Sequence, residues 1–261
     1  VILAFDVGNT ETTIGLFAGD TLSAHWRLNT DASRTPDELA MLVDGLLRYQ
    51  GTPRDKITAT VIGSVVPSIT GPLGDACKAL FGSTSLVVDA SSPLPIKLDV
   101  EEPATVGADR IINTLAASRL YKRDTIVVDL GTATTYDCIT ADGRFLGGII
   151  APGLRTSADT LIRRTSKLPA TELVPPKHAI GRRTEECIRA GVMLGTAEMI
   201  DGLVRRIKKE WPTKTVPKVV ATGGLAEAIA PLTSEIGSVE PFLTLYGLQI
   251  AHALLTGGKK S

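Results

Sequence analysis

Two common nucleotide-binding signatures are missing from this chain. No G-x-G-x-x-G follows an apolar run, which excludes the dinucleotide fingerprint, and no G-x-x-x-x-G-K-[ST] occurs, which excludes the usual phosphate loop. Cysteine is scarce. Cys77, Cys138 and Cys187 are far apart and odd in number, which fits neither a disulfide framework nor a zinc site and suits a reducing cytoplasm. His25, His178 and His252 are as scattered and show no metal-ligand spacing. An excess of either charge is also absent: 28 Lys and Arg balance 28 Asp and Glu. Nothing electrostatic therefore draws the chain to nucleic acid or to an anionic membrane. The densest basic run, RRIKKEWPTK at 205–214, is interrupted by Glu210 and Pro212 and reads as a solvated helix end. No apolar stretch approaches the roughly 18–20 residues of a membrane span. The start carries no basic-then-apolar signal segment, so the expected location is the cytoplasm.

What is present is ordinary globular material. The 261 residues are 43% hydrophobic and 21% charged, enough for one large domain or for two of about 120–130 residues. Residues 1–7, VILAFDV, read as a strand buried on both faces. TIGLF and TLSAHWRLNT form a hairpin about Gly19-Asp20, and PDELAMLVDGLLRYQ is a helix opened by Pro36 with acids in its first turn. ATVIGSVV is a second buried strand, SITGPLGDACKALFG a helical stretch, and SLVVDA closes this run of elements. The order then repeats. ADRIINTLAASRLY (108–121) is a helix, TIVVDLG a strand, and TTYDCITADGRFLGG a hairpin turned at Asp142-Gly143. A long helix spans about 185–210, PKVVATGGL is a strand running into a glycine pair, and FLTLYGLQIAHALLT is the last helix. The pattern is α/β, built as two related lobes.

The doubled turn carries the functional reading. DVGNTETTIG (6–15) and DLGTATTYD (129–137) each follow an apolar strand, and Asp6 and Asp129 lie 123 residues apart, as do Gly8 and Gly131. Glycine admits close approach of a ligand to the backbone, and successive turn N–H groups make an anion site. Thr and Asn add neutral donors. An aspartate beside phosphate makes sense only with a cation between them, and hard Mg2+ bridges carboxylate and phosphate while keeping waters. Two such turns facing each other across a cleft would clamp a Mg–triphosphate. Tight hairpins whose Asp and Thr satisfy local backbone groups are the competing reading. VVATGGLAEAI (219–229) adds a strand, a Gly-Gly step and a helix start, against which a base and ribose could lie.

DVGNTETTIG, VGADR (106–110), DLGTATTYD and GGIIAPG (147–153), in that order, resemble the type III pantothenate kinases over residues 1 to about 250. The resemblance implies two duplicated ribonuclease-H-like lobes, about 1–118 and 119–261, with a nucleotide cleft between them. This is the actin-like ATPase fold of the acetate-kinase, sugar-kinase, Hsp70 and actin superfamily. It also implies transfer of the ATP γ-phosphoryl group to the primary hydroxyl of pantothenate, the first committed step toward coenzyme A. Mg2+, a monovalent cation (K+ or NH4+) and a homodimer are expected with it.

By that resemblance Asp6, Val7, Gly8, Asn9, Thr10, Glu11, Thr12 and Thr13 form the ATP phosphate loop, with Thr132 a further phosphate contact. Asp129 becomes the monovalent-cation ligand, and Asp6 reaches Mg2+ through water. Gly107, Ala108, Asp109 and Arg110 contribute to the pantothenate pocket, with Asp109 as the catalytic base. On the residues alone an N-cap role for Asp109 is an equal alternative, and Arg110 could be a surface residue of an amphipathic helix. Thr184 matches a position where the partner subunit reaches into the pocket, though Thr before Glu-Glu and an apolar helix is also a plain N-cap. Where many members carry an aromatic residue in the pantothenate pocket this chain has Val100, which bears on pocket shape. A nucleotide-binding regulator on the same fold is the alternative from another class, opposed by the presence of Asp109, Arg110 and Thr184. A sugar or carboxylate kinase of the superfamily is opposed by the compact length.

Overall fold

The computed structural model describes residues 1–257. The chain divides into two compact units, Val1–Leu120 together with Leu243 onward, and Tyr121–Phe242. The first contains β1 (Ile2–Val7), β2 (Glu11–Ala18), β3 (Thr21–Asn29), α1 (Pro36–Tyr49), β4 (Ala59–Ser64), α2 (Pro67–Phe81), β5 (Leu86–Val88), β6 (Lys97–Leu98) and α3 (Ala108–Tyr121). The second contains β7 (Thr125–Leu130), β8 (Ala133–Ile139), β9 (Arg144–Pro152), α4 (Leu154–Arg163), α5 (Thr184–Glu210), β10 (Lys218–Thr222), α6 (Ala226–Ile229) and β11 (Ser238–Val239). The final helix α7 (Leu243–Gly257) packs with the first unit. The two units meet in sequence at Leu120/Tyr121, and α7 belongs to the first.

The two sheets repeat one plan. In the first, β1 pairs antiparallel with β2 and parallel with β4, giving the order β3-β2-β1-β4-β5. In the second, β7 pairs antiparallel with β8 and parallel with β10, and five of the six strands run β9-β8-β7-β10-β11. The same order, directions and hairpin openings in both units are what the doubled D-x-G turn predicts.

Alternation along each strand fixes which side is core. Leu3, Phe5 and Val7 of β1, with Ile14, Leu16 and Ile62, pack against Leu39, Val43 and Leu47 of α1 and Ile69, Leu73 and Cys77 of α2. The opposite face carries Ala4 and Asp6, beside Gly15 and Gly63 in register. Gly63 leaves the space taken by Ile112 of α3, whose Cδ1 would lie 2.3 Å from a Cβ there. Ile126, Val128, Leu130, Tyr136 and Cys138 pack with Leu154 of α4, Met193, Ile200 and Val204 of α5, and Ile229 of α6.

The expected helices and hairpins are present. α1 starts with a full capping box, Thr35 and Glu38 exchanging bonds ahead of Pro36. α4 and the short strands β6 and β11 were not anticipated. α4 has only ten residues and its N-cap, Gly153, offers no side-chain acceptor, so the usual entry signal is missing. Thr184 is the first helical residue of α5 and not its N-cap. The extended residue before it is Arg183, and Glu186 Oε2 accepts from the N–H groups of Arg182 (2.8 Å) and Arg183 (3.3 Å).

Two buried carboxylates tie the second unit together. Asp124, just before β7, accepts from Trp211 Nε1 (2.9 Å), Thr213 Oγ1 (3.2 Å) and the Ala141 N–H (2.9 Å), fastening the end of α5 to the β8–β9 turn. Asp201, 6% exposed on α5, accepts from Ser234 N (2.8 Å) and Oγ (2.6 Å) and from Glu235 N (3.0 Å). Burial pushes the Asp201 carboxyl upward, but bonds from Ser234 and Glu235 outweigh it and hold the group below its ordinary value. Its stabilising contribution is therefore complete above an ordinary carboxyl pKa and is lost as pH falls through the lowered folded value. Asp201→Ala should cost about 2–3 kcal/mol at neutral pH in urea denaturation. The gap to wild type should narrow in acid; a constant gap down to strongly acid pH would contradict this role.

Candidate active site

The candidate site residues of the first unit gather where β1 and β4 end. Asp6 lies between Thr13 of β2 and Gly63 of β4 in register, so Asp6 and Thr13 share the sheet face opposite the α1–α2 core. Carboxyl ends of parallel strands are where open α/β sheets bind ligands. The turn that follows is closed by the Gly8 N–H donating to Glu11 O at 3.0 Å, with Asn9 and Thr10 exposed at its tip. Glu11 is ion-paired to Arg27 (3.3 Å). Thr12 faces the other way: it is buried and its hydroxyl bonds that of Thr30 at 2.8 Å. Of the expected phosphate-loop residues, Val7 and Thr12 thus hold the turn in place, while Asp6, Asn9, Thr10 and Thr13 are the ones presented.

The VGADR segment adjoins this strand end. Val65, the residue after β4, donates its N–H to Val7 O (3.1 Å), and Val65 Cγ1 lies 3.4 Å from where a Gly107 Cβ would be. The Gly107 carbonyl accepts from Arg110 N (3.1 Å) and Ile111 N (3.2 Å), so the helix begins on Gly107 and Asp109 sits inside the first turn. This replaces the N-cap alternative for Asp109. Its Oδ1 accepts the neighbouring Arg110 N–H at 2.8 Å. Burial raises the Asp109 carboxyl above its ordinary value, against the opposing pull of that N–H and of the Arg110 charge. A half-buried carboxylate with raised basicity suits proton abstraction. Val100 is half-buried in the loop after β6.

The second unit builds the matching strand end. Asp129 lies between Thr135 of β8 and Thr222 of β10 in register, and the turn is closed by the Gly131 N–H donating to Ala133 O (3.1 Å). That turn is one residue shorter than its counterpart: three residues separate the paired Leu130 and Thr134, against four between Val7 and Thr12. Thr132 is exposed, and its carbonyl accepts from Thr156 Oγ1 of α4 at 2.7 Å. Gly153 is seated on the same turn, where a Cβ would lie 2.3 Å from Thr132 O and 2.6 Å from Gly131 O. Gly223, at φ +89°, closes the other side, with the Asp129 Oδ1 2.6 Å from its missing Cβ. The end of GGIIAPG and the first glycine of TGG therefore wall the Asp129 turn. The sequence marked both glycines but not this meeting. Thr184 is exposed on α5. Among the described residues no group of three or more His, Cys, Asp and Glu side chains could hold a metal, and no helix is long and apolar enough to cross a membrane.

The sequence model of the type III pantothenate kinase family matches residues 2–206. A type III pantothenate kinase of Roseiflexus sp. (strain RS-1) is 44% identical over 254 residues, covering 97% of this chain and 99% of that protein. The chain belongs to the type III pantothenate kinase family. Solved structures at lower identity show the fold alone. A Baf family transcriptional activator candidate from Campylobacter jejuni gives a TM-score of 0.59 at 19% identity, covering 95% of this chain and 96% of that one. The activator of 2-hydroxyisocaproyl-CoA dehydratase from Clostridium difficile, with bound ADPNP, gives 0.58 at 14%, covering 99% and 97%. The fold is that of the actin-like ATPases, and the family's reaction is ATP-dependent phosphorylation of pantothenate on the route to coenzyme A. Family membership over nearly the whole chain disfavours the regulator reading.

The packing of Gly153 against backbone oxygens gives a direct test. Gly153→Ala cannot be absorbed by rotating a side chain, so it should cost about 1–3 kcal/mol in urea denaturation and raise the KM for ATP. Unchanged stability and KM would show that the turn is not held this way.

Proposed function

We propose that Asp109 is the general base of the kinase. It takes the proton of the pantothenate hydroxyl as that oxygen attacks the γ-phosphorus of ATP. The bond from the γ-phosphorus to the β–γ bridging oxygen breaks, ADP leaves, and the phosphate ester forms. The observation that carries this is the Asp109 carboxylate itself, raised by burial against the Arg110 N–H and charge at the start of α3. Positioning and charge neutralisation supply most of phosphoryl-transfer catalysis. In this reading Asp6, Gly8, Asn9, Thr10, Thr13 and Thr132 receive the phosphates. Glu11 keeps its charge offset by Arg27, and Gly107, Ala108, Arg110 and Val100 line the acceptor pocket.

Oxygen donors suit both cations expected here. The lack of a side-chain cage among the described residues fits a divalent ion that draws most ligands from phosphate and water. Asp6 would hold Mg2+ through water, and Mg2+ would neutralise charge building on the β- and γ-phosphates. The Asp129 carboxylate, in the cradle that a Gly223 side chain would fill, would hold K+ or NH4+ and offset phosphate charge without octahedral geometry.

A homodimer is part of the same proposal, with Thr184 of one chain completing the other's pocket. Its support is the outer face of α5. Cβ atoms added at Gly191, Gly195 and Gly202 would meet nothing within 4 Å. A cavity of about 460 Å3 runs beside that face, lined by Pro152, Leu161, Ile188, Val192 and Met199.

Asp109→Asn should lower kcat by roughly 10²–10⁴-fold with melting temperature nearly unchanged; wild-type turnover would remove the base assignment. Because the Asp109 carboxyl is raised, it stays protonated to higher pH than an ordinary aspartate. The wild-type kcat/KM should therefore fall on the acid side with a midpoint above the usual carboxylate range. Gly195→Arg should convert a two-chain species to one chain in sedimentation velocity, and a wild type that sediments as one chain would refute the dimer.

A further inference from the structure

Two carboxylates of this chain turn the same atom into the same kind of space. A Cβ built on Gly107 would lie 2.5 Å from Asp109 Oδ1, and one built on Gly223 would lie 2.6 Å from Asp129 Oδ1. The two glycines stand in different settings, one at the head of α3 and the other after β10. In each case the aspartate occupies volume that any other residue would fill with its own side chain. We propose that Gly107 and Gly223 are positioning residues for the phosphoryl transfer, each setting the orientation of one functional carboxylate by leaving it the place of a side chain. The inference rests on the roles proposed above for Asp109 and Asp129.

At Gly107 the backbone does not require glycine, since its φ is outside the left-handed region. The nearest backbone obstacle to a methyl is absent, and the atoms in the way are Asp109 Oδ1, Asp109 Cγ at 3.6 Å and Val65 Cγ1 at 3.4 Å. Of these only Oδ1 is closer than carbon and oxygen atoms tolerate. A methyl group would therefore swing the carboxylate and draw Oδ1 off the Arg110 N–H, which it now accepts at 2.8 Å. At Gly223 the constraint is tighter. Its φ of +89° disfavours other residues, and the Leu130 backbone N and C lie 2.8 Å from the added Cβ. The rigid neighbour there is the strand that carries Asp129, so glycine locks strand end and carboxylate together.

Gly107 lies at the N-cap position of α3, so loss of a cap must be separated from loss of aim. Alanine is a poor cap and serine a good one, yet both place a Cβ at the same point. Gly107→Ala and Gly107→Ser should both lower kcat by roughly 100-fold, the scale of an ångström misplacement. The KM for ATP should stay within about threefold, and Gly107→Ser should keep the wild-type melting temperature. Because the Arg110 N–H lowers the Asp109 pKa, losing that bond should move the acid limb of kcat/KM to higher pH in both variants. Recovery of kcat by serine would reduce Gly107 to a helix cap and overturn the proposal. Wild-type kcat in both variants beside an inactive Asp109→Asn would overturn the positioning role while leaving the base intact. Turnover by Asp109→Asn would instead sink the underlying reading. For Gly223, melting temperature in KCl against choline chloride is measured without nucleotide turnover. Wild type should gain stability in KCl, and Gly223→Ala and Asp129→Asn should lose that gain. A Gly223→Ala protein that keeps the KCl gain would overturn its part. If that variant does not fold, the two Gly107 variants decide.

Discussion

A carboxylate taken out of water must be answered by donors or by a cation, and Asp201 and Asp109 meet that demand with opposite results. Asp201 receives three hydrogen bonds from Ser234 and Glu235, and its carboxyl is held below the ordinary value despite its burial. Asp109 accepts the Arg110 N–H inside the first turn of α3, and burial raises its carboxyl. At Asp201 the bonds from Ser234 and Glu235 outweigh burial, whereas at Asp109 burial outweighs the Arg110 N–H, the Arg110 charge and the residue's own N–H. The first arrangement stabilises a fold, and the second leaves a group that gains from taking a proton.

The duplicated sheet explains where Asp6 and Asp129 stand. In both units an apolar strand pairs antiparallel with the next strand and parallel with a later one, and its aspartate falls at the carboxyl end of that parallel pair. There the ladder stops and N–H groups of the turn become available to a ligand. The turns then diverge. The first is four residues long and is braced from below by Thr12 against Thr30. The second is three residues long and is braced from the side by Gly153, the N-cap of α4, and by Thr156 of α4. Equal topology with unequal bracing lets one strand end present hydroxyls while the other presents a walled carboxylate.

Much of this was legible because the signals were local. Strand runs such as VILAF and TIVV, the hairpin turns at Gly19-Asp20 and Asp142-Gly143, and the Pro36 helix start depend on neighbours within a few residues. They appear where expected. α4 was not legible, since its ten residues follow a glycine cap without a side-chain acceptor. Thr12 and Thr13 look equivalent in TETT, yet strand alternation sends one into the α1–α2 core and leaves the other beside Asp6. Thr184 reads as a cap, but the chain turns helical one residue earlier than that reading requires.

The amino-acid order by itself determined the α/β pattern, the duplication, the family and the set of aspartates and glycines available for chemistry. These follow from periodicity, turn composition and motif order, none of which needs distant contacts. Only the tertiary structure decided which glycine stands against which carboxylate. Gly223 is 94 residues from Asp129, and they become neighbours because β10 lies parallel to β7 in one register. It also decided the protonation tendency of Asp109, because desolvation depends on what surrounds a group in space and leaves no mark on the residues beside it in the chain.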